Sequence, residues 1–325
     1  MMVGEQQEGD TCAAERLRLV SPPESSNLRE ALTENRNPRG AKMFEASGIP
    51  LILLDLACLV LVGLPFFILT PKHNPFKRGF FCNDESIRYP FKEDTISYQL
   101  LGGVMIPFTI IVLTCGEFLS VYLSRIKNRP LGKKWVLCVY KALGSCLFGA
   151  AASQSLTDIT KYSIGRLRPH FLAVCQPDWD RISCKTGGYI ENFTCTGDNF
   201  LVAEARVSFS SGHASFSMYC MLFLVLYLQA RMRSKWARLL RPTIQFFLIT
   251  TAVYVGLTRV SDYKHHWSDV CAGLLQGGLV AVFTVFCVSN FFSQPVEPVV
   301  TQEEEAPHTS LQENPNNGNH YGSTE

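Results

Sequence analysis

The sequence predicts an all-α protein built on a bundle of six transmembrane helices. Of its 325 residues, 47% are hydrophobic and the net charge is only +2. The mean hydropathy is nevertheless just +0.09, because polar tails flank a long apolar middle. Six buried helices in a soluble protein are the alternative, but they would leave too little polar surface to coat a globule.

The six apolar segments account for most of the middle of the chain. A hydrocarbon core of about 30 Å requires a helix of about 20 residues. All six are long enough to span, the fourth and fifth with least to spare. They cover residues 49–69, 98–122, 135–158, 214–230, 242–257 and 270–292.

The two ends have a different composition. Residues 1–43 are rich in Glu, Arg, Ser, Asn and Pro, and residues 294–325 contain three consecutive glutamates and an Asn/Gly-rich end. Neither can bury a core, so both are expected to be disordered. The chain has no long basic run and no basic patch interleaved with aromatic residues, which argues against a nucleic-acid partner.

The short loops predict the orientation in the membrane. Basic residues cluster between segments two and three and between segments four and five, which places these loops in the cytosol. They are Arg125, Lys127, Arg129, Lys133, Lys134, Arg231, Arg233, Lys235, Arg238 and Arg241. Both tails are then cytosolic. The loops near 70–97, 159–213 and 258–269 face outward, toward the cell exterior or an organelle lumen.

Two features of the outward loops agree with this orientation. Asn192 begins an Asn-Phe-Thr sequon, which favours N-glycosylation in a secretory compartment. Four of the 12 cysteines lie in outward loops, where disulfides are permitted, although their connectivity is not readable and some could be free. They are Cys82, Cys175, Cys184 and Cys195. No pair among the other cysteines has metal-ligand spacing, so no metal site is expected.

Three motifs fall on the same predicted outer face. They are Lys161-x6-Arg168-Pro169, Ser211-Gly212-His213 and Arg259-x5-His265-x3-Asp269. Cationic side chains can clamp phosphate oxygens, one imidazole can attack phosphorus and another can protonate the leaving oxygen. A carboxylate can orient the attacking imidazole. Together the motifs indicate hydrolysis of a phosphate ester.

The first motif separates Lys161 and Arg168 by two helical turns. A helix that continued as far as Pro169 would align these two cations on one side and point Arg166 elsewhere. The alternative is that all three basic residues contact lipid headgroups at a helix end.

The second motif opens an apolar helix. Ser210 or Ser211 is suited to the N-cap, and the amides of the first turn, with Gly212 permitting close approach, form an anion site beside His213. An ordinary capped helix with an interfacial histidine is the alternative.

The third motif leaves one assignment open. His265 lies four residues from Asp269, a helical spacing that lets the carboxylate hold an imidazole N–H. His266 lies three residues from Asp269 and four from Asp262, so it could form similar pairs. Arg259 lies outside the pair and is expected to be available to phosphate.

Taken together, these motifs resemble those of the lipid phosphate phosphatases in the type 2 phosphatidic acid phosphatase superfamily, which is related to the vanadium haloperoxidases. The stretches RGFFCNDESIRYP, SQSLTDITKYSIGRLRPHFL, MYCMLFLVLYLQARM and RVSDYKHHWSDV resemble the same family. The resemblance covers residues 44–293, which form the expected catalytic domain. Two positions depart from the family pattern: Ser210 stands where Pro is frequent, and Thr258 where Ser is usual.

The resemblance implies a role for each motif residue. His265 would be the nucleophile, Asp269 its orienting partner and His213 the general acid. The implied phosphate-binding residues are Lys161, Arg168, Arg259, Ser211 and Gly212. The implied substrates are phosphatidate, lysophosphatidate, ceramide 1-phosphate and sphingosine 1-phosphate, hydrolysed through a phosphohistidine at the plasma membrane or an internal membrane. The family also suggests homo-oligomers.

Three cations in place of a metal, and no acidic cluster suited to Mg²⁺, predict a metal-independent reaction without a cofactor. Two other classes of function stay open. One is a non-catalytic membrane scaffold, although every expected catalytic position is filled. The other is a transporter, which would use the intramembrane charges Asp55, Glu117, Lys141 and Asp158.

Overall fold

The computed structural model describes residues 48–72, 74–125, 132–182, 184, 188–232, 238–289 and 291–292. The two tails predicted at 1–43 and 294–325 lie outside the described residues, as do four of the basic loop residues. These four are Lys127, Arg129, Arg233 and Lys235.

Six long helices form the body of the described structure. They are α1 (Gly48–Lys72), α2 (Tyr98–Arg125), α3 (Gly132–Ile164), α6 (Gly212–Arg231), α7 (Leu240–Ser261) and α8 (Trp267–Phe283), the last continued by a π-helical turn at Thr284–Val288. All six are long and apolar enough to cross a membrane. The predicted six-span fold is therefore confirmed, and the protein is a multi-pass membrane protein. Most of the helices extend past the predicted segments, because their polar ends do not contribute to hydropathy.

Helix α6 lies at the centre of the bundle and contacts α2, α3, α7 and α8. Its side chains Tyr219, Phe223 and Leu224 are fully buried. By contrast, α1 and α2 expose many large apolar side chains, as expected of surfaces that face lipid. The helices that carry or adjoin the charged motif residues therefore form a tightly packed core.

Small residues let α8 approach α6 at backbone distance. A Cβ atom on Gly273 would lie 2.6 Å from the Ser211 carbonyl oxygen, and one on Gly277 would overlap the Ser215 carbonyl. This Gly-x3-Gly spacing is typical of close helix pairs in membranes. It fixes the start of α6 beside the start of α8.

One polar side chain inside the bundle connects three helices. The Gln276 amide nitrogen on α8 lies within hydrogen-bond distance of Ser153 O (3.0 Å) and Thr157 Oγ1 (2.8 Å) on α3, and of Ser215 Oγ (3.3 Å) on α6. Its amide oxygen accepts from Ser210 Oγ at 3.1 Å. Each of the three helices carries or adjoins one of the sequence motifs.

The loops at one end of the bundle form a small disulfide-linked cap. Strand β1 (Phe80–Phe81) pairs antiparallel with β2 (Tyr189–Ile190), and short helices α4 (Phe171–Cys175) and α5 (Asn199–Glu204) complete it. Disulfides join Cys82 to Cys184 and Cys175 to Cys195, so all four loop cysteines are paired. The cap has its own apolar core around Phe80 and Phe171.

The intramembrane charges do not form a continuous path in the described helices. Glu117 forms a salt bridge with Arg231 at 2.9 Å, and Asp55 accepts a hydrogen bond from Tyr140 at 2.7 Å. Asp158 lies within hydrogen-bond distance of Gln154 at the other end of the bundle. These separate pairs favour structural roles over a transport pathway.

Candidate active site

The three sequence motifs meet at the end of the bundle that carries the cap. A Cβ on Gly212 would lie 3.1 Å from the Lys161 ammonium nitrogen, which brings the first motif against the second. The Ser211 amide donates to the Asp269 carbonyl oxygen at 3.1 Å, which joins the second motif to the third. Residues that are up to about one hundred positions apart thereby line one site.

Lys161 and Arg168 do not lie on one continuous helix, so that part of the prediction is wrong. Helix α3 ends at Ile164, and Gly165 has a positive φ of 59°. A side chain there would overlap the Phe76 carbonyl, so glycine is required at this turn. The chain then places Arg168 in a loop, where its amide donates to Ala205 O at 2.8 Å.

Ser211 occupies the N-cap position of α6, in agreement with one of the two predicted caps. Its hydroxyl is buried and has no hydrogen-bond partner among the described residues. His213 Nε2 lies 3.1 Å from the carbonyl oxygen of Ile96. A carbonyl only accepts, so Nε2 carries the proton and Nδ1 is the basic nitrogen. The Tyr98 ring packs edge-on against the imidazole, with ring centres 4.9 Å apart.

The two histidines of the third motif precede α8, so the predicted helical face shared by His265 and Asp269 is wrong. Helix α8 begins at Trp267 with His266 at its N-cap. A tight turn leads to them, and in it Tyr263 adopts a left-handed φ of 55°. His170 stabilises this turn by donating from Nδ1 to the Tyr263 carbonyl at 2.8 Å, and Tyr89 stacks on the Tyr263 ring.

Asp269 is fully buried and accepts several hydrogen bonds. Arg166 donates to Oδ1 at 2.5 Å, and Ser208 Oγ donates to Oδ2 at 2.6 Å. The amide and Nδ1 of His266 lie 3.1 and 3.2 Å from Oδ2, whereas His265 Nδ1 lies at 3.9 Å. The expectation that Arg166 points elsewhere is wrong, because the chain turns at Gly165 before reaching it.

His265 is the more deeply buried of the two histidines. Its Nδ1 has no hydrogen-bond partner in the part of the chain that is described. Burial, followed by the nearby cations of Arg168 and Lys161, holds its pKa well below the ordinary 6.5. The imidazole is therefore neutral at pH 7 and able to act as a nucleophile. The Asp269 carboxylate lies closer to His266 than to His265. The choice of His265 as the nucleophile therefore rests on the family motif.

The two arginines predicted to bind phosphate already contact carboxylates. Arg168 forms a 3.0 Å ion pair with Glu204, and Arg259 one of 3.0 Å with Asp94. Arg259 also pairs with the fully buried Asp262. Arg259 thus has two carboxylate partners, because a cation this deeply buried needs a counterion in the folded protein, and its availability to phosphate stays a prediction.

Several residues of the site were not foreseen from the sequence. Arg166 and Ser208 flank the recognised motifs, so their proximity was the available signal. Asp94 lies in the loop before α2 and Glu204 at the end of α5, far along the chain from their arginines and with no local pattern. Among the described residues, no group of three His, Cys, Asp or Glu side chains is arranged to hold a metal ion.

Comparisons with known proteins show which family the chain belongs to. The PAP2 superfamily matches residues 142–293. Rat phospholipid phosphatase 1 is 58% identical over 84% of this chain and 96% of its own length. Mouse phospholipid phosphatase 2 is 57% identical over 79% of this chain and 92% of its own, and the human phospholipid phosphatase 2 is 57% identical over 78% and 88%. No solved structure matches. The chain therefore belongs to the phospholipid phosphatase family of the PAP2 superfamily and is a lipid phosphatase.

Proposed function

We propose that this protein hydrolyses lipid phosphate monoesters through a phosphohistidine formed on His265. The observation that carries the proposal is the gathering of three cations, two imidazoles and a buried carboxylate at one end of a membrane-spanning bundle. The cations are Lys161, Arg168 and Arg259. A lipid phosphate presents its headgroup at this depth while its acyl chains stay in the bilayer.

The cations and the start of α6 supply the phosphate cradle. Lys161 lies over Gly212, and the unpartnered Ser211 hydroxyl is buried nearby. The free amides at the helix N-terminus add donors. Neutralising the phosphate charge in this way lets a neutral imidazole approach phosphorus.

The first chemical step transfers the phosphoryl group to His265. In this step Nε2 of His265 attacks phosphorus in line with the ester oxygen, while Nδ1 stays on the side of Asp269, 3.9 Å from Oδ2. The P–O bond to the lipid breaks with its electron pair on oxygen, and protonated His213 donates from Nδ1 to that oxygen. The lipid alcohol leaves.

The second step regenerates the enzyme. Nδ1 of His213 accepts a proton from water, whose oxygen attacks phosphorus. The P–N bond breaks with its electron pair on His265, and inorganic phosphate leaves. His213 thereby reverses its proton transfer of the first step and is protonated again for the next substrate.

The substrates that fit this chemistry are phosphatidate, lysophosphatidate, ceramide 1-phosphate and sphingosine 1-phosphate, because all present a terminal phosphate monoester on a membrane-anchored alcohol. The names of the relatives, phospholipid phosphatases 1 and 2, support the same class. Because three cations provide the charge neutralisation, the reaction is expected to proceed without Mg²⁺.

The site faces the cell exterior or the lumen of an organelle in this proposal, with both termini cytosolic. The exposed Asn192 sequon and the two disulfides of the cap support that side, since glycan addition and disulfide formation belong to secretory compartments. The plasma membrane is the proposed location, and a homo-oligomer the proposed assembly.

The test is phosphate release from detergent-purified protein, assayed with the four lipids in the presence of EDTA. His213→Ala should lose about 10²- to 10⁴-fold in kcat, and His265→Ala and Arg168→Ala should also lose most activity. His266→Ala serves as the matched control and should lose much less. Strict dependence on Mg²⁺, a dead His266→Ala beside an active His265→Ala, or no phosphate release at all would contradict the proposal. The last result would favour the scaffold alternative.

A further inference from the structure

Two exposed carboxylates of the outer loops occupy the phosphate-binding arginines. Glu204, at the end of α5, contacts Arg168, and Asp94, in the loop before α2, contacts Arg259. The arginine side chains are only 9% and 2% exposed, whereas the carboxylates are 41% and 37% exposed. The acidic partners therefore approach the cations from the solvent side, from which a phosphate group would also enter.

The contacts leave part of each guanidinium unused. The Nε atoms of Arg168 and Arg259 are buried and have no hydrogen-bond partner within the described chain, and each carboxylate contacts only a terminal Nη1 atom. A phosphate can bind Nε and Nη2 of Arg168 in a bidentate pair, beside the Nη1 atom that holds Glu204, where its charge would repel the carboxylate. On Arg259 the Nη2 atom is held by Asp262, so a phosphate would take the Nη1 position of Asp94.

Asp262 shows what a permanent partner of Arg259 looks like. It is fully buried, accepts from the amide and hydroxyl of Thr95 at 2.8 and 2.7 Å, and lies 3.5 Å from the Lys92 ammonium. Asp94 and Glu204 are far less enclosed. Asp262 is thus suited to hold Arg259 in place throughout the reaction cycle.

Each of the two carboxylates has another partner available once it leaves its arginine. Asp94 also lies 3.6 Å from the ammonium of Lys264, which is itself positioned 4.0 Å over the Phe91 ring. If Asp94 left Arg259, it could stay paired with Lys264. Glu204 is at a helix end and can turn toward water.

Building on the proposed function, we infer that Asp94 and Glu204 are displaceable counterions that compete with phosphate for Arg259 and Arg168. They keep the arginine side chains extended between turnovers. After hydrolysis they return to the arginines and favour release of inorganic phosphate. The competition thereby weakens the binding of substrate and of product alike, while stabilisation of the transition state is retained.

The test compares Glu204→Gln, Asp94→Asn and the double variant with wild type, measuring kcat, KM and the inhibition constant of inorganic phosphate. The amides keep the shape but lose the charge. Each single variant should lower the phosphate inhibition constant about fivefold, and the double variant on the order of 20-fold. KM should fall in parallel, while kcat stays level or falls because the product leaves more slowly. Glu191→Gln and Asp180→Asn, exposed carboxylates of the same cap, should change none of these constants.

Different results would contradict the proposed function and the counterion inference. An inactive wild-type protein, or one in which His265→Ala is fully active, would sink the proposed function. An active wild type whose Glu204→Gln and Asp94→Asn variants show unchanged or weaker phosphate inhibition would overturn the counterion inference alone. A variant with raised KM and a lower melting temperature would do the same, because that pattern belongs to a structural ion pair.

Discussion

Arg166 offers the sharpest test of how Asp269 is held. Arg166 reaches the buried carboxylate at 2.5 Å and also donates to Ser268 Oγ at 2.8 Å. Its side chain is 32% exposed, whereas that of Asp269 is completely buried. We expect replacement of Arg166 by Gln to remove the charge from this contact and to leave a shorter polar side chain.

The expected magnitude follows from the contacts that survive. Asp269 would keep Ser208 and His266 as donors, so its orientation would be loosened but not lost. A hydrogen bond to a charged group contributes about 1.5 to 3 kcal/mol, and the partial exposure of Arg166 places this one near the lower end. About 1.5 kcal/mol corresponds to roughly a tenfold fall in kcat.

The assay is steady-state hydrolysis of a short-chain phosphatidate in detergent. KM should change little in Arg166→Gln, because Arg166 holds Asp269 and does not contact the substrate phosphate in the proposed mechanism. Arg181→Gln is the matched control, since it breaks an exposed ion pair of the same cap, with Asp178, and should leave kcat within about twofold. Wild-type kcat in Arg166→Gln would refute the reasoning. A raised KM at unchanged kcat would show instead that Arg166 binds phosphate.

Three further outcomes are expected. Gln276→Leu removes hydrogen bonds that join α3, α6 and α8, each worth about 0.6 kcal/mol in a bilayer. The melting temperature and kcat should therefore both fall. Unchanged values would refute the bridging role. Burial lowers the pKa of His170 to about 4 in the folded protein. The unfolded chain, with a histidine pKa of about 6.5, therefore binds the proton first as the pH falls. The folding stability present above pH 6.5 should decline by about 3 kcal/mol as the pH falls to 4. His170→Gln should flatten that decline in a melting series, and an equally steep series would count against it. Asn192→Gln should lower the mass of protein from a glycosylating host and keep its activity, whereas an equal mass would contradict the outward placement of the cap.

The six spans were predictable because the length and hydropathy of an apolar segment do not depend on its tertiary contacts. The meeting of the three motifs was also predictable, because each lies at a helix end on the same side of the predicted topology. The close approach of an anion to the Gly212 backbone stays a prediction, and the structure places the Lys161 ammonium nitrogen 3.1 Å from where a Cβ on that residue would lie.

Local spacing failed where the backbone leaves the helix. Periodicity extended α3 to Arg168 and turned Arg166 away, but the left-handed turn at Gly165 reverses both conclusions. The same error placed His265 on a helical face with Asp269, although α8 begins two residues later. A spacing rule cannot detect a positive φ at a single residue.

Long-range counterions could not be read from the sequence at all. Asp94 and Arg259 are 165 positions apart, and Glu204 and Arg168 are 36 apart. Nothing near either acid distinguishes it from other loop carboxylates. The need to neutralise a buried arginine predicts that a partner exists, but only the fold identifies which acid supplies it.

The covalent intermediate is the central claim, and trapping it is the most direct measurement. The purified protein would be mixed with a short-chain phosphatidate and quenched within milliseconds in alkaline denaturant, which preserves phosphohistidine. After proteolysis, the phosphate would be located by mass spectrometry on the peptide that contains both His265 and His266. The account predicts phosphate on His265, and its absence from His265→Ala treated in the same way. Phosphate on His266, or turnover without any phosphorylated histidine, would contradict the account.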